Sequence, residues 1–502
     1  MCSQAFHSQE NSNFYWESFE TNSIPILYLY SNSSKKIPIA DRSAFFNLKK
    51  MADQSCGDAQ LQIGLCYILG RGVEKSYQSA LYYFKLAADQ GMREAQNQIA
   101  TLYENGQGIT QSYHKALHYY KLAAHQGSAW AQVRLGYLYA NGKGVKKSSK
   151  KAMKYYEMAL KQDNPLTWVC LAQAYESGEG LEKSVKTANY FYKKRFQLYE
   201  IQAEEGDVDA LTEIGKCFEN GEGVEKCHKK AFYYYQLSAN QNFVRGLVHL
   251  AHCYADGIGI TKSIEKAIYY YKIAANQGCA IAQYCLARYL ILNKVEEELA
   301  VDYLKVVILG QQVNQGIKSS CQYHLAQCFE MGIGINKSSK NAIYYYKLSA
   351  ENGNSIAQNK LGDIYLDGLL DIKKCSKKAI YYYNLAASQD HIGALMNLSW
   401  CYENGSGVER SRSKAFYYQK LAAEISIPLG VSCAVFQLAR CYELAIGTSQ
   451  SLTLAIYYYK LSAEDGHPEG YARAGRCCLK IGGEEAEKQA SIYFKLRDNL
   501  NS

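Results

Sequence analysis

The sequence predicts an all-α fold, a right-handed α/α superhelix of about 12 helix-turn-helix units of about 36 residues each. Three observations carry this expectation. A block recurs down the chain, and a clear copy runs from Ala95 through Ile99, Ala100, Tyr103, Gly106, Gly108, Ser112, Ala116, Tyr119, Tyr120 and Ala123 to Gly127. Within each block, apolar residues recur at helical spacing in two runs, separated by glycines and a serine. Only five prolines occur in 502 residues, as a mostly helical chain requires.

The repeat overrides the expectation of three or so globular domains, because a solenoid grows by adding units. Residues 1–43 do not repeat and are expected to form an extension or cap, with Ile24–Tyr30 as a short strand or extended segment. Residues 44–502 are expected to be the solenoid. Its first segment, Ala44 to Gln54, resembles the second half of a unit, and the last unit, 470–502, reads as a C-terminal cap. Units start near Ala59, Ala95, Ala131, Thr167, Ala210, Gly246, Ala282, Cys321, Ala357, Ala394, Ala434 and Gly470. Insertions follow Tyr192 and surround Val313 and Ile427-Pro428, where loops are expected.

In each unit the first helix carries an apolar stripe such as Ala59, Ile63 and Tyr67, and Gly70-x-Gly72 ends it. A serine then caps the second helix: Ser76, Ser112, Ser148, Ser184, Ser263, Ser338 or Ser411. Ala80, Tyr83 and Ala87 build the inner stripe, with small alanines allowing close helix approach. Seventeen cysteines suggest a disulfide framework at first sight. Yet Cys66, Cys217, Cys253, Cys328, Cys401, Cys441 and Cys477 share the eighth position of their units, where other units place Leu102, Leu138, Ala174 or Ile364. A slot that takes Cys, Leu, Ile or Ala is a buried apolar slot.

Composition excludes several classes. Apolar residues make up 48% and charged residues 21%, which is ordinary for a folded chain. No apolar run approaches the roughly 18 residues that cross a bilayer. Met1 to Asn11 shows neither a basic nor an apolar leader pattern, so a cytoplasmic protein is expected.

Leu-Gly-x-x-Tyr-x-x-Gly-x-Gly-Val followed by Lys-Ala-x-x-Tyr-Tyr-x-x-Ala-Ala-x-x-Gly resembles the Sel-one-like repeat (SLR) family, a relative of the tetratricopeptide (TPR) repeat. The resemblance spans roughly residues 44–500, and eight units keep the full Gly-x-Gly. The unit from Ala282 departs most, with Leu292-Asn293-Lys294 in place of that turn. The resemblance implies a non-enzymatic scaffold or adaptor for protein complexes, without cofactor or metal. The family's members include regulators of cell-wall synthesis, subunits of endoplasmic-reticulum degradation machinery and bacterial proteins that act on hosts.

No Walker loop, His-Glu-x-x-His, Gly-x-Ser-x-Gly or Cys-x-x-Cys occurs. His249-x-x-His252-Cys253 has metal-like helical spacing, but Cys253 occupies the buried eighth position and no second ligand cluster follows. Gly-x-Gly follows a helix and lacks the strand context of a phosphate loop. The Tyr-Tyr-Tyr runs read as inter-helix packing rather than a base-stacking platform.

Two surfaces remain as binding candidates. In tandem helical repeats the first helices line the concave face, and their outward positions vary here: Arg134, Tyr137, Gln173, Lys216, His252, Arg288, Gln327, Trp400, Arg440 and Arg476. Trp400 stands in a slot that is polar in most other units, which suits an anchor for a protein partner. The second is an edge of inter-helix lysines, including Lys75, Lys147, Lys183, Lys226, Lys262, Lys337 and Lys374, followed one turn later by Lys115, Lys151, Lys230, Lys266, Lys378 and Lys414. Most of the net +9 could lie along it, as a track for an acidic protein segment, nucleic acid or anionic lipid, or simply as a solvated edge.

Overall fold

The computed structural model describes residues 42–70, 72–162, 165–178, 182–310 and 313–501, so the expected N-terminal cap with Ile24–Tyr30 lies outside the described residues. Among the described residues the regular structure is helical, 25 α-helices and one 3-10 turn with no strand. They alternate as antiparallel pairs, for example Arg93–Asn105 with Tyr113–His125 and Ala129–Asn141 with Ser149–Leu160. The chain is an α/α solenoid, and it divides into two compact units, one up to Tyr289 with 309–313 and one from Leu290 to Ile308 with 314–502.

Each predicted serine cap is in place. Ser76, Ser112, Ser148, Ser184, Ser263, Ser338 and Ser411 all accept from the backbone N–H three residues on. The turn before it needs both of its glycines. Gly106 closes its helix with φ 67°. Gly144 combines φ 70° with a close approach, since a Cβ there would lie 2.6 Å from the Cβ of Tyr113 in the preceding unit. The left-handed backbone and the missing side chain are thus demanded separately.

Three consecutive tyrosines meet three different surroundings, as a rotation of about 100° per residue dictates. The first is exposed: Tyr233, Tyr269, Tyr344, Tyr381 and Tyr457 keep 54–60% of their surface. The second stacks on the aromatic ring at the ninth position of its own first helix, as in Tyr254–Tyr270 at 5.7 Å and Phe329–Tyr345 at 5.7 Å. The third is fully buried: Tyr235, Tyr271, Tyr346, Tyr383 and Tyr459. Gly215 and Gly362 make room for two of these rings, since a Cβ at either would overlap the ring of Tyr235 or Tyr383. Packing of this density makes the sixth position of the first helix small.

One of the three insertions differs from expectation. The one after Tyr192 forms no loop but lengthens the second helix to Val185–Glu204, 20 residues. Lys193 to Glu200 contains good helix formers, and Arg195 and Phe196 are buried on the inner face, so the helix continues. Near Val313 the expected connection is present, since Gly310, Val313 and Asn314 lie outside the helices, and the next first helix is also lengthened to Gln315–Met331. Ile427–Leu429, with Pro428, breaks into a 3-10 turn.

Candidate interaction surface

Burial defines what the first helices present to solvent. Counting from Ala59 and its counterparts, Tyr137, Gln173, Lys216, His252, Arg288, Gln327, Trp400, Arg440 and Arg476 are each the seventh residue of their units, and Arg134 is the fourth of its own. Gln173, Trp400 and Arg476 are exposed, with half of the Trp400 surface accessible. Arg134, Tyr137, Lys216, Arg288, Gln327 and Arg440 are half-buried. His252 is buried instead, its Nδ1 3.5 Å from a carboxylate oxygen of Asp256. An imidazole is short and flat enough to lie down against the helix behind it, where a lysine or arginine reaches out.

The half-buried members are held by neighbours. Lys216 pairs with Glu213 at 3.4 Å, Gln327 donates to the Tyr323 hydroxyl at 3.1 Å, and Arg440 pairs with Glu403 of the preceding unit at 3.1 Å. Arg134 makes a charge-assisted bond to Glu104, also from the preceding unit. Burial opposes the Arg134 charge, but the adjacent carboxylate outweighs it and raises the guanidinium pKa further.

Glu104 belongs to a recurring arrangement that the sequence reading did not find. Where the tenth position of the first helix is glutamate and the third residue of the run is tyrosine, the carboxylate accepts from it: Tyr120–Glu104 at 2.8 Å, Tyr192–Glu176 at 2.9 Å, Tyr235–Glu219 at 2.5 Å, Tyr346–Glu330 at 2.5 Å and Tyr459–Glu443 at 2.8 Å. As Arg134 does on Glu104, a cation from the next unit also reaches two of the other carboxylates, Lys360 on Glu330 at 3.0 Å and Lys480 on Glu443 at 2.5 Å. The signal was present as Glu recurring two residues before the turn glycine, as at Glu104, Glu176 and Glu330, with a tyrosine 16 residues on. Its meaning required knowing which tyrosine of the run points inward.

One cleft, of about 480 Å³, opens beside this arrangement and is lined by Glu104, Gln111, Tyr113, Arg134, Tyr137 and Lys143, among others. It unites Arg134 and Tyr137, whereas the remaining candidates are strung one to a unit. Arg134 and Lys143 both lie over the Tyr137 ring, 4.7 and 4.9 Å from its centroid. The Lys143 ammonium donates to the Tyr137 hydroxyl at 2.8 Å, which holds its pKa above the usual lysine value. Gln111 fixes the rim by donating to the Glu104 carbonyl at 2.8 Å and the Tyr113 hydroxyl at 3.1 Å.

Part of the lysine edge is engaged in packing. Lys115, Lys151, Lys230, Lys266, Lys378 and Lys414 each sit 5.0–5.3 Å above the ninth-position ring of their own unit. Contacts of this kind contribute roughly 0.5–1 kcal/mol each at exposed sites. The His249 ring, half-buried by surface, stacks on Tyr235 at 4.7 Å, and desolvation pushes its imidazole pKa well down. Among the described residues no group of three or more His, Cys, Asp or Glu side chains is arranged to hold a metal ion. None of the helices among the described residues is long and apolar enough to cross a membrane.

Ten segments match the Sel1 repeat family: residues 57–92, 93–128, 131–164, 171–194, 208–243, 244–279, 319–354, 355–391, 392–425 and 434–467. They cover most of the chain, and it belongs to the Sel1 repeat family. Among solved structures it is similar to c5321, a protective antigen of uropathogenic Escherichia coli displaying an SLR fold. That match has 29% identity, covers 90% of this chain and 94% of that one, and has a TM-score of 0.45. A Sel1 repeat protein of Oxalobacter formigenes is also 29% identical, over 46% of this chain and 90% of its own, with a TM-score of 0.32. The TPR domain of P58(IPK) aligns with 88% of this chain and all of its own at 14% identity and a TM-score of 0.24. No curated protein matches the chain.

Proposed function

We propose that this member of the Sel1 repeat family is a non-enzymatic scaffold that holds partner proteins on the outward face of its first helices, the concave side of the solenoid. Repeat proteins of this kind are in general platforms for protein interaction. The observation that carries the finer reading is Trp400, an indole half exposed on a face where other units present Gln173, Lys216 or Arg476. A large rigid side chain left in water on an otherwise polar row suits the centre of an interface. The repeat array from residue 44 is the binding body, and residues 470–502 close its end. A cytoplasmic setting fits the many buried thiols.

Cross-linking from a photoreactive residue at Trp400, with proteins identified by mass spectrometry, tests this directly. Trp400→Ala and Arg476→Ala should each lose a shared set of captured proteins while their melting curves match wild type. Capture that is unchanged in both variants would rule the face out.

A further inference from the structure

The net charge of +9 is not spread along the edge. Residues 105–156 hold nine lysines and arginines and no aspartate or glutamate; without those nine, the 56 basic residues fall to 47, equal to the 47 acidic ones. An excess equal to the whole net charge of the chain therefore lies within about one and a half repeat lengths. In several other units the edge cation has an acid beside it in sequence, as in Glu74-Lys75, Glu182-Lys183, Glu225-Lys226 and Glu409-Arg410, whereas Lys262, Lys337 and Lys374 stand singly or in pairs without one. Here Lys146, Lys147, Lys150, Lys151 and Lys154 are exposed. Of the nine cations Arg134 alone has an ion-pair partner among the described residues, Glu104. The cleft opens within this same stretch, with Lys143 on its wall.

Resting on the scaffold reading, we infer that the cleft between Tyr113 and Tyr137, with the lysines of residues 143–154 beside it, is the docking site for an acidic segment of a partner protein. Uncompensated ammonium groups beside a concave polar wall complement a run of carboxylates, and the charge steers such a segment towards the cleft. Two features favour this over other polyanions. The exposed slot that carries tyrosine in most units is His118 and Lys154 in these two, so the patch lacks the open rings on which bases stack. Its exposed large apolar side chains are limited to Leu122, which offers little for insertion into lipid.

A fluorescein-labelled oligoglutamate peptide, read by anisotropy, supplies the probe. The intact protein should bind it, and binding should weaken as salt is raised. Lys143→Gln/Lys146→Gln/Lys147→Gln should weaken binding by about tenfold or more, whereas Lys373→Gln/Lys374→Gln/Lys377→Gln, the same loss of charge elsewhere, should change it by less than about twofold. Lys146→Glu, at an exposed position, gives the same reading if the triple variant fails to fold. Equal loss in both triple variants, no binding by wild type, or binding only of a single-stranded oligonucleotide or of phosphatidylserine vesicles would overturn the inference. The scaffold reading stands or falls separately, on the Trp400 and Arg476 variants.

Discussion

The hydroxyl of Tyr120 donates to the Glu104 carboxylate at 2.8 Å, and both side chains are buried, the ring completely. The phenol is thereby held neutral, its pKa raised by burial first and by the neighbouring carboxylate second. Arg134 from the next unit completes the set, so one carboxylate ties a second helix to its own first helix and to the following repeat.

Tyr120→Phe should therefore destabilise the protein by about 1.5–3 kcal/mol, the cost of losing a buried bond to a charged acceptor. Arg134→Ala should cost more, roughly 3–5 kcal/mol, because it strands Glu104 without its cation. Denaturant titration of the two single variants and the double variant checks this. Simple additivity would show that the three groups do not act as a unit.

Cys227 and Cys375 occupy the serine cap slot with the same backbone conformation as the serines, φ −149° and −151°, but make no side-chain cap bond. Cys227→Ser and Cys375→Ser should each stabilise the protein by about 0.5–1 kcal/mol, supplying an acceptor to an orphan N–H. An unchanged or lowered denaturation midpoint would show that the thiol is preferred there for packing.

Asp363 stands at the seventh position rather than the tenth, yet accepts from Tyr383 at 2.7 Å and from Asn397 at 3.1 Å. Burial raises its pKa to about 6, against the opposing pull of those bonds and of Lys360; Asp367 adds to the rise. Folding thus favours the protonated form. This contribution to stability is greatest below the ordinary aspartate range, falls as pH rises towards about 6 and is level above it. Glu443 titrates the other way: burial raises its pKa, but the bonds from Lys480 and Tyr459 outweigh that and lower it. Its contribution is present at neutral pH and lost in acid. Asp363→Asn should remove the decline between about pH 4 and 6 relative to wild type, measured by melting at each pH. Parallel curves for the two proteins would contradict the assignment.

Cys217, Cys401, Cys441 and Cys477 are buried, and burial pushes each thiol up to about 11. Thiolate reagents should label them slowly in the native protein and rapidly in denaturant, with no change in melting temperature on adding reductant. A large fall with reductant would reveal disulfides.

Much of the architecture was legible because the repeat states it many times over. Glycines, serine caps and the apolar stripe fix each helix pair locally, and the eighth-position cysteines could be assigned to the core from the company that slot keeps. The insertion after Tyr192 misled because a loop and a helix extension differ only in whether Phe196 continues the buried stripe. The row of outward residues could be written down, but not which of them would turn inward: His252 and Trp400 share a position and meet opposite surroundings. Nor does a residue-by-residue reading disclose that Glu104 and Arg134, 30 residues apart, share a two-pronged bond.

That shared bond also decides where the chain can be cut. A polypeptide ending near Gly127 keeps Glu104 and Tyr120 but discards Arg134, so the carboxylate loses its cation at the newly uncovered end of the array. One ending near Leu160 keeps the cation, and its own tenth position is Ala140, which asks nothing of a successor. Fragments of this protein should therefore not lose stability in equal steps: the tolerated stopping points are those where a repeat makes no claim on the next.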